Sequence, residues 1–464
     1  MIALYIEYED YMNTYKQTDL TQGNLSAHLK RIAIPASIGF LFNTLFNVVD
    51  TIYAGRLSTD ALAGLTISFP IFFIIIAVTS GLGNAVSALL SIALGQKNKQ
   101  LFHQIGKNAL FLGFILSIII TVLAPLMTEP LFNLLGSDGS AQSLGIAYTN
   151  TIFLGSLFFV FNAILSGMLS SQGQTKPYRN FLVIGFFMNL ILDPLFIFGW
   201  FGFPRLGVVG VALATIIVQM FGTIYLFYKV KSSSEFDLSL LKTARISAKT
   251  SKDILKQAIP SALNMATIAI GIFIINYYVL KYGGNQAIAG YGAAVRIEQL
   301  ALLPTLGLNI AVMSIVGQNF GANQLDRVKK ALKMATLYGI MIMMIGAIII
   351  FPLAPYFIQL FNSDSDVVSQ GSRYLRIETL AFVTYVILNI CVSVLQGVKK
   401  PGFAIYIGIY RQVLPFAIFY LFGTYFGLGI DGVWWGIVLI NWSAVFITVL
   451  YTKRTLNQLK PINV

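Results

Sequence analysis

The chain has 464 residues, of which 56% are hydrophobic and only 11% are charged, and its mean hydropathy is +0.76. So few charged side chains cannot cover the surface of a soluble domain, so the composition excludes an ordinary water-soluble protein and indicates a membrane protein. The net charge of +13 would suit a nucleic-acid-binding protein, unless the basic residues are distributed by membrane topology.

The amino-terminal segment has a polar composition. Residues 1–24 include Glu7, Glu9, Asp10 and Asp19, and they lack a basic region followed by an apolar core and a cleavage site. They are therefore not expected to be a cleaved signal peptide. We predict a disordered cytoplasmic tail over 1–24, and Met12 leaves a shorter natural start open.

Apolar runs long enough to cross a membrane follow one another along the rest of the chain. A helix needs about 20 residues to cross a hydrocarbon core of about 30 Å. The runs are continuously apolar and do not alternate with period two, so they predict helices and not barrel strands. Twelve spans are predicted: 31–55, 62–94, 107–127, 144–170, 180–200, 207–230, 252–281, 287–320, 331–352, 369–397, 402–424 and 430–452.

The basic residues lie mainly on one side of these spans. Most of the 31 Lys and Arg residues fall in the tails and in the loops between even and odd spans. This is the positive-inside pattern, which predicts a multi-pass protein of the cell (inner or plasma) membrane with both termini in the cytoplasm. The basic balance is then explained by topology, and we expect no nucleic-acid partner.

The chain divides into two similar halves. Its longest polar interruption follows the sixth span and predicts a cytoplasmic linker over 231–251. The linker separates an amino-terminal lobe, 25–230, from a carboxy-terminal lobe, 252–455, and 456–464 forms a second cytoplasmic tail. Each lobe has six spans, so both enter the membrane from the same side. The prediction is an all-α membrane protein with twelve transmembrane helices in two parallel six-helix repeats.

Short sequence matches support the repeat. Pro35 precedes the first span as Pro260 precedes the seventh, and QGQTKP at 172–177 corresponds to QGVKKP at 396–401. Further matches join Gly95 with Gly321 and Gly210 with Gly432. Parallel repeats of this kind usually place a substrate path between the lobes, which rock to open alternate sides.

Acidic residues within spans are costly, about 2.5–3.5 kcal/mol at a helix centre on insertion scales, and are functional candidates for that reason. Asp50 in the first span and Asp193 in the fifth lie at similar depth, with Asn189 one turn from Asp193 and Thr215 at the same level of the sixth span. Two carboxylates in one weakly solvated pocket cannot both ionise at low cost, so we expect one to hold a proton. A structural hydrogen-bond network is the alternative reading.

The first span carries further polar residues. Asn43 and Asn47 precede Asp50 at helical spacing and are candidates for a substrate pocket, together with Asn276 of the seventh span, which the repeat places opposite Asp50. Pro35 removes a backbone hydrogen bond, so the first helix is expected to bend as Asp50 changes its protonation.

The carboxy-terminal lobe does not repeat this pocket, because Arg411 and Leu414 fall near the counterparts of Asn189 and Asp193. It has instead a polar cluster of Arg296, Glu298, Glu378 and Arg411. Opposite charges at membrane depth should pair, so we predict a structural ion-pair cluster, with a second ion or substrate site as the alternative.

Motifs for ATP or metal chemistry are absent from the sequence. There is no GxxxxGK[ST], HExxH or CxxC pattern and there are only two histidines, so we expect no enzyme, no cofactor and no catalytic metal. The coupling ion is then a proton, with sodium at Asp50 and Asp193 as the alternative. Some of the many aromatic residues are expected to line a cavity for flat organic cations.

Several stretches together resemble the multidrug and toxic compound extrusion (MATE) family. They are FNVVDTIYAG at 46–55, GQKNKQ at 95–100, QGQTKP at 172–177, MNLILDPLFIFG at 188–199, GVVGVALAT at 207–215 and GAAVRIEQL at 292–300. The resemblance covers about residues 25–455 and is closest to the DNA-damage-inducible (DinF-like) branch. It implies a V-shaped bundle that exports varied, often cationic and aromatic drugs in exchange for protons or sodium.

The resemblance also implies residue roles. Asp50 matches the family's first-helix acid, Asn189 and Asp193 its fifth-helix pair, Thr215 its sixth-helix hydroxyl, and Pro35 its bending proline. The sodium-coupled branch keeps an acid in the seventh helix where this chain has Asn276, which favours protons.

We therefore predict a monomeric multidrug exporter whose partners are drug-like molecules and membrane lipids. The rivals are an exporter of the same fold for a lipid-linked sugar or a dedicated metabolite, an ion channel or receptor-like protein, and a membrane-embedded enzyme.

Overall fold

A computed structural model describes residues 19–134 and 138–461, and within these ranges every regular element is helical. The helices are α1 (Leu25–Leu57), α2 (Thr59–Gly95), α3 (Lys99–Leu134), α4 (Gly139–Leu154), α5 (Ser156–Ser171), α6 (Lys176–Phe198), α7 (Val208–Lys231), α8 (Leu238–Thr243), α9 (Ala248–Gly321), α10 (Leu325–Gln359), α11 (Ser365–Glu378), α12 (Phe382–Gly397), α13 (Phe403–Tyr420) and α14 (Ile430–Gln458). A 3₁₀ turn (Trp200–Gly202) follows α6, and a π-helical turn (Leu421–Tyr425) extends α13.

The described helices account for the twelve predicted spans. Nine are long and apolar enough to cross a membrane, and one of these, α9, is broken into two spans at Gly284 (φ 68°, ψ −163°). The bent pairs α4–α5 (52°) and α11–α12 (50°) each form one more span. The predicted all-α membrane fold is confirmed within the described ranges, although several helices extend beyond their apolar runs.

Side-chain caps explain where several helices begin. The side chain of Asn24 accepts hydrogen bonds from the first amides of α1, that of Ser58 from Ala61 in α2, and that of Asp364 from the first amides of α11. These caps satisfy amides that the helix itself leaves without a partner.

Glycine contacts repeat between the two lobes with a shift of 226 residues. A Cβ at Gly64 in α2 would lie against Ala141 and Gly145 of α4, and a Cβ at Gly290 in α9 would lie against Val367 and Gly371 of α11. The same shift relates the contact partners of Gly113 in α3 and Gly339 in α10. Each lobe therefore packs its helices in the same way, as predicted from the sequence repeat.

The lobes meet around a pseudo-twofold axis. A Cβ at Gly95 would lie 1.9 Å from the carbonyl oxygen of Gln318, and a Cβ at Gly321 would lie 2.2 Å from that of Ile92. Adding 226 to one contact gives the other with the lobes exchanged. Both contacts lie at the ends of α2 and α9 near the connections at 96–98 and 322–324. We call this end of the bundle the terminal face and the opposite end the distal face.

The repeat shift in the first helix of each lobe corrects two predicted correspondences. Gly81 packs on Ala258 where Gly307 packs on Ala33, so α1 and the first half of α9 are related by 225 residues. This shift places Ile275 opposite Asp50, whereas the prediction was Asn276. Close packing beneath Gly210 and Gly432 similarly relates Phe196 to Phe422, so Pro415 and Phe419, not Arg411 and Leu414, correspond to Asn189 and Asp193.

The end of the predicted amino-terminal tail is packed and not disordered. Residues 1–18, with Met12, lie outside the described residues, but Leu20 is fully buried and its amide donates to Gln318 Oε1 at 3.1 Å. Asn319 and Arg327 donate to the carbonyl oxygens of the segment at 3.0–3.3 Å. The sequence offered no apolar run at 19–24, and a single leucine was enough to anchor it.

The predicted linker, 231–251, is also held in place. It contains the short helix α8, and α3 binds the segment through three side chains. The amide of Asp237 donates to His103 Nε2 at 2.7 Å, Lys107 donates to two carbonyl oxygens of the linker, and Asn108 contacts Arg245 and Ser247.

Candidate functional site

Three helices of the amino-terminal lobe bring four polar side chains together. Asp50 lies on α1, Asn189 and Asp193 lie one turn apart on α6, and Thr215 lies on α7. All four are buried, and Asn189 and Asp193 have no exposed surface. These are the residues that the sequence predicted as one pocket.

Asn189 links the two acids. Its Nδ2 donates to Asp50 Oδ1 at 2.5 Å and to Asp193 Oδ2 at 2.9 Å, and the Thr215 hydroxyl lies 3.4 Å from Asp50 Oδ2. The carboxyl groups of Asp50 and Asp193 also lie within hydrogen-bonding reach of each other. Two ionised carboxylates have no hydrogen to share, so this arrangement requires a proton between them or a cation beside them.

The site has spare acceptor capacity. Asn189 Oδ1 and Asp193 Oδ1 are buried and have no hydrogen-bond partner among the described residues. A buried acceptor without a donor is costly, about 1–3 kcal/mol, and invites a ligand. The free oxygens belong to an amide and a carboxylate, which suit a proton and are also the hard ligands that sodium would take.

Tyr148 of α4 is a neighbour that the sequence did not indicate. Its side chain is buried close enough to Asp50 and Asp193 to feel their charges. A tyrosine in an apolar span carries no pattern of its own. Only the packing of α4 against α7 and α2 brings it to the acids.

The other predicted pocket residues lie elsewhere. Asn43, Asn47 and Asn276 are exposed, and the side chain of Asn47 donates to the carbonyl oxygen of Asn43 within its own helix at 2.8 Å. They do not join the four buried residues. Pro35 is buried within α1, one turn from the contact between Ser37 Oγ and the carbonyl oxygen of Pro304 in α9 at 3.2 Å.

The acids of the carboxy-terminal lobe are bound by tyrosines. The Tyr374 hydroxyl donates to Glu298 Oε2 at 3.1 Å, and the Tyr385 hydroxyl donates to Glu378 Oε1 at 2.7 Å. Arg411 Nε donates to Asn441 Oδ1 at 3.0 Å, and the guanidinium group stacks over the Tyr385 ring. Of these residues the sequence indicated the charged ones, but not the two tyrosines.

The predicted ion-pair cluster is not formed in the described part of the chain. No arginine lies within ion-pair distance of Glu298 or Glu378 there, and Arg296 is exposed and stacks on Phe361. Arg411 acts on the acids only at longer range. Because Arg296 and Glu298 are two residues apart on a helix, they face different directions, and only Glu298 points into the lobe.

Family comparison agrees with the repeat and with the fold. The family described as MatE matches the chain twice, over residues 35–195 and 260–421, so each lobe is one copy. The chain also superposes on a solved structure described as the outward-facing conformation of a multidrug resistance MATE family transporter of the MOP superfamily. The TM-score is 0.90 at 27% identity, and 97% of this chain and all of that chain are covered.

Curated relatives cover nearly the whole chain. It is 27% identical over 416 residues to the "Probable multidrug resistance protein NorM" of Thermotoga maritima, with 88% of each chain covered. It is 30% identical over 425 residues to the "FAD transporter" of Shewanella oneidensis, with 89% of this chain and 91% of the relative covered. The chain therefore belongs to the MatE family: it is a multi-pass membrane transporter of the MOP superfamily, not an enzyme.

Proposed function

We propose that the chain is a secondary-active multidrug exporter, which moves organic cationic or aromatic compounds out of the cell in exchange for protons. The observation that carries this proposal is the buried pair of Asp50 and Asp193, joined through Asn189 and left with unpartnered oxygens. Sodium is the alternative coupling ion, because the same oxygens could bind it.

Protonation of the pair can change the contacts between the lobes through α1. This helix carries Asp50, packs on α6 at Gly39, and contacts α9 through Ser37. A charge appearing at Asp50 would attract water or a cation and loosen its bond to Asn189. Pro35 leaves a gap in the hydrogen bonds of α1 between Asp50 and the lobe contact, so the helix can bend there.

We assign the terminal face to the cytoplasm of the cell (inner or plasma) membrane, because most basic loops and the described ends of the chain lie there. The lobe contacts at Gly95 and Gly321 then close the cytoplasmic side. The described conformation is therefore outward-facing, in line with the named state of the related structure. A monomer suffices for this mechanism, since both lobes belong to one chain.

Drug efflux from cells that lack their own exporters tests the proposal. Asp50→Asn and Asp193→Asn should each abolish drug resistance at unchanged expression, because an amide cannot exchange a proton at neutral pH. Asp60→Asn is the matched control, since Asp60 is an exposed acid whose carboxylate binds Ser140 at the distal face. Full resistance in both pocket variants would contradict the assignment.

Export of a flavin dinucleotide is a second candidate, because the Shewanella relative with that name is 30% identical over nearly the whole chain. The two candidates differ in the charge of the cargo. Proteoliposomes loaded separately with FAD and with a cationic dye would distinguish them, since the multidrug proposal expects uptake or release of the dye and none of FAD.

A further inference from the structure

A cavity of about 810 Å³ opens on the flank of the carboxy-terminal lobe between α10, α11 and α14. It lies on the side of α11 that faces away from α9. On the other side of α11, Gly371 touches Gly290 of α9. Because α9 borders the opposite lobe, the cavity is separate from the space between the lobes. It is also remote from the pocket of Asp50 and Asp193 in the other lobe. We call it the flank groove.

One face of α11 makes the flank groove polar. Ser365, Ser369, Ser372, Arg373 and Arg376 all line it, and their spacing of four, three, one and three residues places them along one stripe of a helix. The opposite stripe of α11 is buried in the lobe. A helix of a membrane protein is therefore polar on the side that faces outward, where the lipid-facing helices are apolar.

The groove carries net positive charge. Arg373 pairs with Asp431 at 2.5 Å, which offsets one of the two arginines. Arg376 is exposed, donates from Nε to the carbonyl oxygen of Phe351 at 3.2 Å, and has no acid within ion-pair distance among the described residues. Its remaining N–H groups are thus free for an anion. The acids Asp364 and Asp366 at the start of α11 do not line the groove.

The rest of the groove is apolar. Phe351 and Pro355 of α10, Leu380 after α11, and Trp435 of α14 complete its walls. Trp435 is half exposed, and tryptophan at such a position is typical of the boundary between head groups and acyl chains. The groove is therefore amphipathic, with a basic, hydroxyl-bearing side and an aromatic and aliphatic side.

We propose that the flank groove is a binding site for an anionic phospholipid, whose phosphate accepts hydrogen bonds from Arg376 and the serine hydroxyls and whose acyl chains lie along Phe351, Leu380 and Trp435. A polar stripe left in contact with hydrocarbon would be costly, and a head group satisfies it. Guanidinium binds a phosphate through two parallel hydrogen bonds. A zwitterionic lipid brings an ammonium group that the arginines repel, so the groove selects anionic lipids.

Quenching of Trp435 fluorescence by brominated lipids tests the proposal directly. Full-length protein is reconstituted with brominated phosphatidylglycerol or brominated phosphatidylcholine, and the Trp435 signal is taken as the difference between wild type and Trp435→Phe. We expect phosphatidylglycerol to bind beside Trp435 about fivefold more strongly than phosphatidylcholine. That ratio corresponds to about 1 kcal/mol for one basic side chain near an anionic lipid.

Variants of the groove identify the recognising group. Arg376→Gln should reduce the ratio to about one, whereas Arg376→Lys should keep most of it and Arg205→Gln, at an exposed arginine of the other lobe, should leave it unchanged. Unaltered quenching by phosphatidylcholine in each variant reports an intact groove. Equal quenching by both lipids in wild type, or an unchanged ratio in Arg376→Gln, would overturn the proposal.

Discussion

Buried acids of the two lobes are satisfied by different partners. Asp50 and Asp193 share one amide and each other, so their contacts depend on a proton or cation. Glu298 and Glu378 each accept a hydrogen bond from a tyrosine hydroxyl, which is a fixed donor. The first arrangement suits a charge that changes during transport, and the second suits a stable part of the lobe.

Removal of a tyrosine hydroxyl in the carboxy-terminal lobe should therefore lower stability. Tyr385→Phe leaves Glu378 without its donor, and Glu378 Oε2 already has no partner among the described residues. The expected cost is about 1–3 kcal/mol, measured as a lower thermal unfolding temperature in detergent at a fixed scan rate. Tyr406→Phe, at a residue that is 73% exposed, is the control. Equal unfolding temperatures would show that the hydroxyl supports nothing.

At the scale of single elements, the structure explains which parts of the sequence prediction were accurate. Asp50, Asn189, Asp193 and Thr215 were found because charge and helical spacing within apolar spans are rare enough to stand out. Tyr148 was missed because it depends on how the helices pack together. Register errors of one or more residues near Asn276 and Arg411 arose because the π-helical turn after α13 changes the spacing of the second repeat.

Glycines at the contact between α2 and α9 should control closure of the terminal face. A Cβ at Gly95 would lie 1.9 Å from a backbone oxygen, so Gly95→Ala must push the lobes apart there. We expect faster maleimide labelling of a cysteine placed at buried Ser91, in a background with Cys391→Ser. Gly346→Ala is the control, because nothing lies within 4 Å of its Cβ position. Equal labelling rates would mean that the contact does not hold the face closed.

Residues 19–24 should depend on Arg327 for their position. This arginine donates to the carbonyl oxygens of Leu20, Gln22 and Gly23, so Arg327→Gln removes three charge-assisted bonds at once. Amide hydrogen exchange at Leu20 should become faster, measured by mass spectrometry of the terminal peptide. Lys329→Gln, an exposed change on the same helix, should leave it unaltered, and so would Arg327→Gln if the segment were held by Leu20 alone.

For the whole molecule, the sequence predicted more than could be expected of its individual motifs. Twelve spans and two parallel lobes follow from hydropathy and from short matches such as Gly95 with Gly321, and the reciprocal glycine contacts agree with them. The ordered segment at 19–24 and the bound linker could not be predicted, because hydrogen bonds from distant residues, including Gln318 and His103, hold them.

The lobes also differ in a way that matters for the transport cycle. Both have the same packing, but Phe419 occupies the place in the second lobe that Asp193 occupies in the first. A change of charge in one lobe only would bend α1 and leave the equivalent part of α9 unchanged. The account therefore expects the amino-terminal lobe to sense the cation and the carboxy-terminal lobe to follow.

Transport into proteoliposomes under a single imposed gradient tests the central claim, that the acids of α1 and α6 bind and release the coupling ion. A pH gradient alone should drive movement of a cationic dye by the wild-type protein, a sodium gradient alone should drive none, and Asp50→Asn and Asp193→Asn should be inactive with both. Sodium-driven transport would change the ion but keep the site. Equal pH-driven transport by wild type and by both variants would contradict the account.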